Sequence, residues 1–318
     1  MDVVLRSGVL IALQAVVLVA LAPLLSGTIR RTKARLQSRR GPSVWQPYRD
    51  LRKWWSRETV QSVTASPVQG LAPAAVLAAI VVAIALIPTV AVIAPLDGWG
   101  DLIAVVGLLA AARFVTALAA IDSGSAFGGM GSSRDVSIAA LIEPAFVLAL
   151  IVAAVTFGST DLGAIAASGA GRGLDLLTPA HLVAAVAFAL VVVAETGHLP
   201  VDNPDTHLEL TMVHEGMLLE SSGRRLAILM LSAHLRQALI LALFLGVFLP
   251  WGMAGDVSPV PLAVGTVAFV TKLLLAGQGL ALADAVIPKL RILRLPEFLG
   301  VAAALALIAL AARVWLPA

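Results

Sequence analysis

The sequence predicts an all-α integral membrane protein, and three observations lead to that fold class. Hydrophobic residue types make up 59% of the 318 residues, charged types make up only 13%, and the mean hydropathy is +0.96. Soluble domains contain about 45–50% apolar and about 25% charged residues, so a water-soluble enzyme is excluded. The third observation is that the apolar residues are concentrated in runs of roughly twenty. Because these runs share one bilayer, we interpret residues 1–318 as a single polytopic membrane domain.

Eight apolar segments are long enough to span a membrane. A hydrocarbon core of about 30 Å needs about 20 helical residues at a rise of about 1.5 Å per residue. Within lipid the backbone must satisfy its own hydrogen bonds, and runs of this length do so only as helices. The predicted spans are residues 3–25, 70–94, 102–121, 137–157, 179–197, 226–250, 260–283 and 298–316.

The distribution of Lys and Arg predicts the orientation of the chain. Sixteen of these residues fall on one side of the predicted spans, ten of them in the loop 26–69 and six near 122–136, 198–225 and 284–297. The positive-inside rule makes that side cytoplasmic. Because eight spans return the chain to the same side, both termini are expected outside. Most residues outside the spans lie in the cytoplasmic loops 26–69 and 198–225, where we expect the function.

The first cytoplasmic loop is strongly basic. Arg31, Arg35 and Arg39 lie at helical spacing and are expected to form one stripe, which the Gly41-Pro42 pair ends. A second short helix is predicted from Pro47, lying in the headgroup region. Two interpretations remain open, an anchor on anionic lipid and a docking surface for a cytoplasmic partner. Topology accounts for the charge, so no nucleic-acid binding is expected.

The loop 198–225 is acidic, and its residues Asp202 to Asp205 form a turn signal. Thr206 and Glu209 fit a capping box, which predicts a helix starting near Thr206. On that helix Glu209 and Glu220 would share a face, separated by about 16 Å. Glu209 is therefore interpreted either as a cap or as part of a row of carboxylates that passes protons.

Ionisable residues inside the spans mark either a pathway or a buried pair. Three carboxylates are expected at similar depth near the cytoplasmic ends of their spans, beneath three more in the loop. Together they would form an acidic route. Three cations lie nearer the middle of their spans, and the alternative is that acids and bases simply pair to hold the bundle together. The carboxylates are Glu143, Glu195 and Asp284, with Glu209, Glu215 and Glu220 in the loop; the cations are Arg113, Arg236 and Lys272.

The chain contains no cysteine. It therefore offers no thiolate for an iron–sulfur cluster, a nickel–iron centre or a structural zinc site. His207 and His214 would lie about 10 Å apart on one helix, too far to share a metal ion. We expect no catalytic, cofactor-binding or metal site in this chain, and any linked redox chemistry must sit on another subunit.

Several stretches resemble the membrane subunit shared by respiratory complex I and the energy-converting group 4 hydrogenases, with the closer likeness to formate hydrogenlyase. These stretches are ARLQSRRGPSVWQPYRDLRKWW at 34–55, AETGHLP at 194–200, PVDNPDTHLELTMVHEGMLLESSGR at 200–224 and KLRILRLPEFLG at 289–300. Arg134 and Glu143 also match an Arg and a Glu nine residues apart in the complex I subunit. Asp284 departs from the family pattern, in which a glutamate is expected.

The resemblance implies an eight-helix core and a place in the cell membrane of a bacterium or archaeon. It implies docking beneath a hydrogenase-like large subunit and a small iron–sulfur subunit, which would carry iron–sulfur clusters and possibly nickel–iron, and contact with antiporter-like membrane subunits. The six carboxylates become candidates for a proton relay. The partner-facing surface would include Arg35, Arg39, Arg40 and Arg134 together with Asp202 and Asp205.

The resulting hypothesis is a membrane anchor and proton-coupling subunit of a formate-hydrogenlyase-like or other group 4 hydrogenase complex. One alternative is the quinone-binding subunit of a complex I variant. A second alternative, from a different class, is a stand-alone secondary transporter, against which the lack of a sequence repeat argues.

Overall fold

The computed structural model describes residues 2–93, 99–199, 201, 213–288 and 294–315. Within these ranges the regular structure is helical, apart from two isolated β-bridges. The helices are α1 Asp2–Leu36, α2 Gln46–Trp55, α3 Pro67–Leu86, α4 Leu102–Asp122, α5 Ala126–Phe157, α6 Leu162–Arg172 with a 3-10 turn Gly173–Leu176, α7 Pro179–Glu195, α8 His214–Leu218, α9 Gly223–Phe248, α10 Pro259–Val286 and α11 Leu295–Trp315.

The predicted all-α membrane fold is confirmed, with one adjustment to the spans. Seven described helices are long and apolar enough to cross a membrane, namely α1, α3, α4, α5, α9, α10 and α11. The eighth predicted span, 179–197, corresponds to α7, which has 17 residues. It reaches the length of a span only together with Leu162–Leu176, from which it is bent by 118°.

Several helices begin at a side chain that caps their first turn. Such a side chain accepts a hydrogen bond from a backbone N–H that has no partner within the helix. Proline in the first turn, as in α3 and α7, adds a backbone angle already suited to a helix. The capping residues are Ser66, Asp101, Ser125, Asp161 and Thr178.

Helix α5 begins at Ala126, well before the predicted start of its span at 137. The Ser- and Gly-rich segment 126–136 was therefore wrongly interpreted as a loop. Within the bundle its Ser132 hydroxyl donates to the carbonyls of Gly128 at 2.8 Å and Ala117 at 3.1 Å. As a consequence, Arg134 and Asp135 lie on a helix that packs against α4, α7, α8 and α11.

Helix α9 forms the centre of the bundle. In its most apolar stretch 67% of the residues are buried, the largest share among the seven long helices. It packs against α1, α2, α3, α6, α7 and α10. A cluster of aromatic rings from Phe146, Phe188, Phe244 and Phe248 joins it to α5 and α7.

The basic loop follows the prediction in part. The predicted stripe is wrong for Arg39, because α1 ends at Leu36. Ser38 adopts a left-handed conformation with φ 59°, which turns the chain back so that the Arg39 amide donates to the Ala34 carbonyl at 2.7 Å. The short helix predicted from Pro47 is present as α2, and its Tyr48 hydroxyl donates to the carbonyl of Ala20 on α1.

The acidic loop differs from the prediction. Thr206 and Glu209 lie outside the described residues. The following helix, α8, runs only from His214 to Leu218, so Glu220 stands in the turn beyond it and the predicted continuous helix is wrong. The reason is that the chain must reverse into α9, which starts at Gly223 with φ 54°.

Candidate functional site

The centre of the candidate site is the buried guanidinium of Arg113 on α4. Its two terminal nitrogens contact Glu195 Oε2 on α7 at 2.5 Å and Glu143 Oε1 on α5 at 3.3 Å. Its Nε lies 3.9 Å from Asp135 Oδ2, also on α5. Arg113 is only 8% exposed, so one guanidinium brings three carboxylates from two helices together inside the bundle.

A second guanidinium completes this group of charges. Arg236 on α9 contacts the same oxygen of Glu195 at 2.5 Å. The Glu195 side chain is 4% exposed, and the two guanidiniums compensate its negative charge. We call Arg113, Asp135, Glu143, Glu195 and Arg236 the Arg113 cluster. It contains three carboxylates and two guanidiniums.

The second group of charges surrounds Asp284 on α10. Its Oδ2 lies 2.7 Å from His198 Nδ1 and 3.7 Å from Lys33 Nζ on α1, while its Oδ1 accepts from the Leu199 amide at 2.9 Å. The other ring nitrogen of His198 lies 2.7 Å from the Gln237 amide nitrogen on α9. We call Lys33, His198, Gln237 and Asp284 the Asp284 cluster.

The two clusters are connected through two elements, the end of α7 and helix α9. Glu195 ends α7 and His198 follows it three residues later, after the left-handed Gly197 with φ 67°. Arg236 and Gln237 are consecutive on α9. Any movement of the end of α7 relative to α9 would therefore change hydrogen bonds in both clusters.

A cavity of about 80 Å³ adjoins the Arg113 cluster. Its polar lining includes Arg113, Asp135, His214, Ser232 and Arg236. Within the described ranges, four buried atoms of this lining have no protein hydrogen-bond partner: Arg113 Nε, Asp135 Oδ2, Ser232 Oγ and Arg236 Nε. These four polar atoms can bond water, and a cavity of this volume has room for a few water molecules, whose share of liquid volume is about 30 Å³ each.

Two of the three cations predicted within spans belong to the Arg113 cluster. The sequence left open whether Arg236 pairs with an acid, and the structure shows that it pairs with Glu195. Lys272 has a different position, because its ammonium donates to the carbonyls of Leu249 at 2.8 Å and Trp251 at 2.9 Å, where α9 ends. It caps that helix rather than pairing with a carboxylate of the described chain.

The six carboxylates predicted for the relay are only partly gathered. Glu143 and Glu195 share Arg113, and Asp284 lies in the neighbouring cluster. Glu215 is half-buried on α8, and the exposed Glu220 lies in the turn after it. Glu209 lies outside the described residues.

By sequence, the residues predicted to face a partner fall in the stretches 26–69 and 198–225 and near the start of α5. Arg35, at the end of α1, and Arg39 and Arg40 beyond it are exposed, whereas Arg134 on α5 is partly buried. Asp202 and Asp205 lie outside the described residues.

Sequence reasoning missed four members of the two clusters: Asp135, Lys33, His198 and Gln237. Two of them gave a signal. His198 lies within the AETGHLP stretch, three residues after Glu195, and Asp135 follows Arg134 in a segment interpreted as a loop. The described residues contain no group of three His, Cys, Asp or Glu side chains placed to hold a metal ion.

These features define a class of protein, a multi-pass membrane protein with ionisable side chains buried in its interior. The family model described as NADH dehydrogenase matches residues 8–315, and the chain belongs to this family, that of complex I subunit 1. The resemblance seen in the sequence is thereby confirmed.

Two relatives from Escherichia coli (strain K12) are each 36% identical to this chain. Hydrogenase-4 component C matches over 262 residues, 82% of either protein, and formate hydrogenlyase subunit 4 matches over 281 residues, 88% of this chain and 90% of its own. A chain of the membrane-bound sulfane sulfur reductase, an archaeal respiratory membrane complex, is similar in fold. Its TM-score is 0.82 at 21% identity, over 98% of this chain and 99% of that one.

Proposed function

We propose that this chain is the membrane-anchor and proton-coupling subunit of a group 4 hydrogenase-like complex. The family and the two relatives, components of hydrogenase-4 and of formate hydrogenlyase, support this role. The chain would lie in the cell membrane of a bacterium or archaeon with both termini outside. Its proposed partners are a hydrogenase-like large subunit, a small iron–sulfur subunit and antiporter-like membrane subunits.

The observation that carries the coupling role is the charge count of the Arg113 cluster. Three carboxylates, of which Asp135 and Glu195 are buried, face two guanidiniums, so one bound proton makes the group neutral. A cluster with one proton to gain or lose is suited to passing protons. A balanced pair is suited mainly to holding helices together.

Glu143 gives the proposed route a lateral end. Its side chain is 41% exposed, and the neighbouring Leu141 and Pro144 are exposed as well. A charged side chain facing lipid costs about 2.5–3.5 kcal/mol or more. We therefore propose that another membrane subunit covers this face of α5 and exchanges protons with Glu143.

The other end of the proposed route lies toward the cytoplasmic loops. The Asp284 cluster reaches Lys33 near the end of α1, beside the exposed Arg35, Arg39 and Arg40. We propose that these arginines, with Arg134 and the loop residues Asp202 and Asp205, face the redox partners. Glu209, Glu215 and Glu220 would extend the acidic route through the loop. The partners would supply the iron–sulfur clusters and any nickel–iron centre.

The two alternative functions receive less support. The cavity beside Arg113 measures about 80 Å³, whereas pockets for drug-sized ligands measure about 300–1,000 Å³. Among the described residues, this cavity is therefore too small for a quinone headgroup with its tail. Relatives that are named as components of larger assemblies also favour a subunit over a stand-alone transporter.

The test replaces Glu195 or Glu143 by Gln in the intact complex. We expect both variants to assemble, while proton transport per redox turnover falls in membrane vesicles. Glu58→Gln, the same chemical change on an exposed loop residue outside the spans, is the matched control and should behave as wild type. Wild-type proton transport in both Glu195→Gln and Glu143→Gln, or purification of the chain without redox partners, would overturn the proposal.

A further inference from the structure

We propose that His214 is a positioning residue, through which the loop helix α8 sets how strongly Arg113 holds Glu195. The proposal rests on the coupling role given above and names one residue by which the cytoplasmic loop could act on the buried cluster.

Helix α8 is fitted closely against α5. At Gly131 of α5, an added Cβ atom would lie 3.1 Å from the Met217 amide nitrogen and 3.1 Å from the Val213 carbonyl oxygen. A side chain at this position would therefore push α8 away from α5. The backbone of the cytoplasmic loop thus lies directly on the helix that carries Asp135 and Glu143.

His214, the first residue of α8, bridges α5 and the end of α7. Its Nε2 lies 3.4 Å from Asp135 Oδ1. On its other side the ring lies against Gly197, where an added Cβ would be 3.3 Å from Nδ1. Gly197 comes two residues after Glu195, so His214 contacts both sides of the site that Arg113 occupies.

Asp135 is held loosely between Arg113 and His214. Its distances of 3.4 Å to His214 and 3.9 Å to Arg113 both exceed those of good hydrogen bonds. Within the described residues, Asp135 Oδ2 and the facing Arg113 Nε have no hydrogen-bond partner. A small shift is therefore enough to close the gap on either side, directly or through one water molecule.

The position of α8 decides which gap closes. With α8 docked, His214 shares Asp135, and Arg113 stays on Glu195 at 2.5 Å. If α8 withdraws, Asp135 pairs with Arg113 alone and draws its guanidinium away from Glu195. Glu195 then keeps only Arg236 and can accept a proton from the acid form of Glu143, which becomes a carboxylate.

A double-mutant cycle on the intact complex tests this role, with redox turnover and proton transport measured separately. His214→Leu and Asp135→Asn should each lower proton transport per turnover by about 2- to 30-fold, the range for residues that carry coupling between sites. Their combination should be no worse than Asp135→Asn alone, because both remove one interaction. His214→Gln, which keeps a hydrogen-bond donor, should retain most of the transport.

His181→Leu is the matched control. His181 is also buried, but its Nε2 lies 3.1 Å from the Phe248 carbonyl oxygen, so its loss should leave the transport ratio unchanged. If His214→Leu prevents assembly, His214→Ala replaces it in the cycle. Wild-type transport in the His214 and Asp135 variants, or losses that multiply, would overturn this inference. The proposed function would still stand in that case if Glu195→Gln, measured in the same transport assay, lowers proton transport per turnover.

Discussion

Replacing Arg113 by Met should destabilise the chain more than any single change at another cation of the site. The substitution leaves one guanidinium, that of Arg236, among three carboxylates. Removing one partner of a buried ion pair costs about 3–5 kcal/mol, because the remaining charge stays desolvated. The contact with the 41% exposed Glu143 adds little, so the loss comes from Glu195 and Asp135, which are 4% and 5% exposed.

The free energy of unfolding of a folded protein is typically about 5–15 kcal/mol, so the expected loss of about 3–5 kcal/mol is a large share of it. It can be measured as the free energy of unfolding of the purified complex in a detergent titration, and as the amount of chain in the membrane. Adding Glu195→Gln to Arg113→Met removes one of the uncompensated carboxylates. We expect the double variant to recover about 1–3 kcal/mol.

The control for this experiment is Arg172→Met. Arg172 is exposed at the end of α6, where its guanidinium lies 5.1 Å from the Phe157 ring, a contact that contributes about 0.5–1 kcal/mol. If Arg113→Met is as stable as Arg172→Met, or if Glu195→Gln makes the Arg113 variant worse, the reasoning from charge balance is refuted.

Two further predictions concern the edges of the bundle. Burial raises the pKa of the Tyr48 phenol above 10.0, so the stability that its bond to Ala20 contributes is present below pH 10 and is lost as pH rises through the folded-state pKa. In the wild type, proteolysis of α2 should accelerate once the pH exceeds the folded-state pKa of Tyr48. Tyr48→Phe lacks the hydroxyl that bonds Ala20, so it should show rapid cleavage already at neutral pH. Lys272→Met should destabilise the chain by about 1–3 kcal/mol in the same detergent titration, because it leaves the carbonyls of Leu249 and Trp251 without their charged donor; unchanged stability would contradict the capping role.

The spans could be predicted from the sequence because hydropathy measures the transfer of side chains to lipid directly. The start of α5 and the end of α8 could not be predicted in this way. Helix α5 starts at Ala126 because α4 and α8 pack against its Ser- and Gly-rich first turns, a tertiary effect that local composition does not carry. Helix α8 ends at Leu218 because the chain must turn into α9, although the capping pattern at Thr206 favours a longer helix.

Only those residues of the site that are single charges within apolar runs could be predicted from the sequence. Glu143 and Glu195 were found in this way, since an ionised side chain within a span needs a reason. Their shared partner was not assignable, because Arg113 and Glu195 are 82 residues apart and no local pattern links them. Asp135 was missed for a different reason, because the loop assigned to its segment hid its place on the same helix as Glu143.

The distinction between a structural ion pair and a coupling site therefore depends on how the charges are shared. Lys272 binds two backbone carbonyls and has no second arrangement among the described contacts, so it serves the helix end. Arg113 is shared by three carboxylates at 2.5, 3.3 and 3.9 Å, and the carboxylate of the longest contact, Asp135, is also contacted by His214 of α8. A guanidinium with unequal and competing partners can be redistributed by a small movement, and each redistribution changes which carboxylate is free to take a proton.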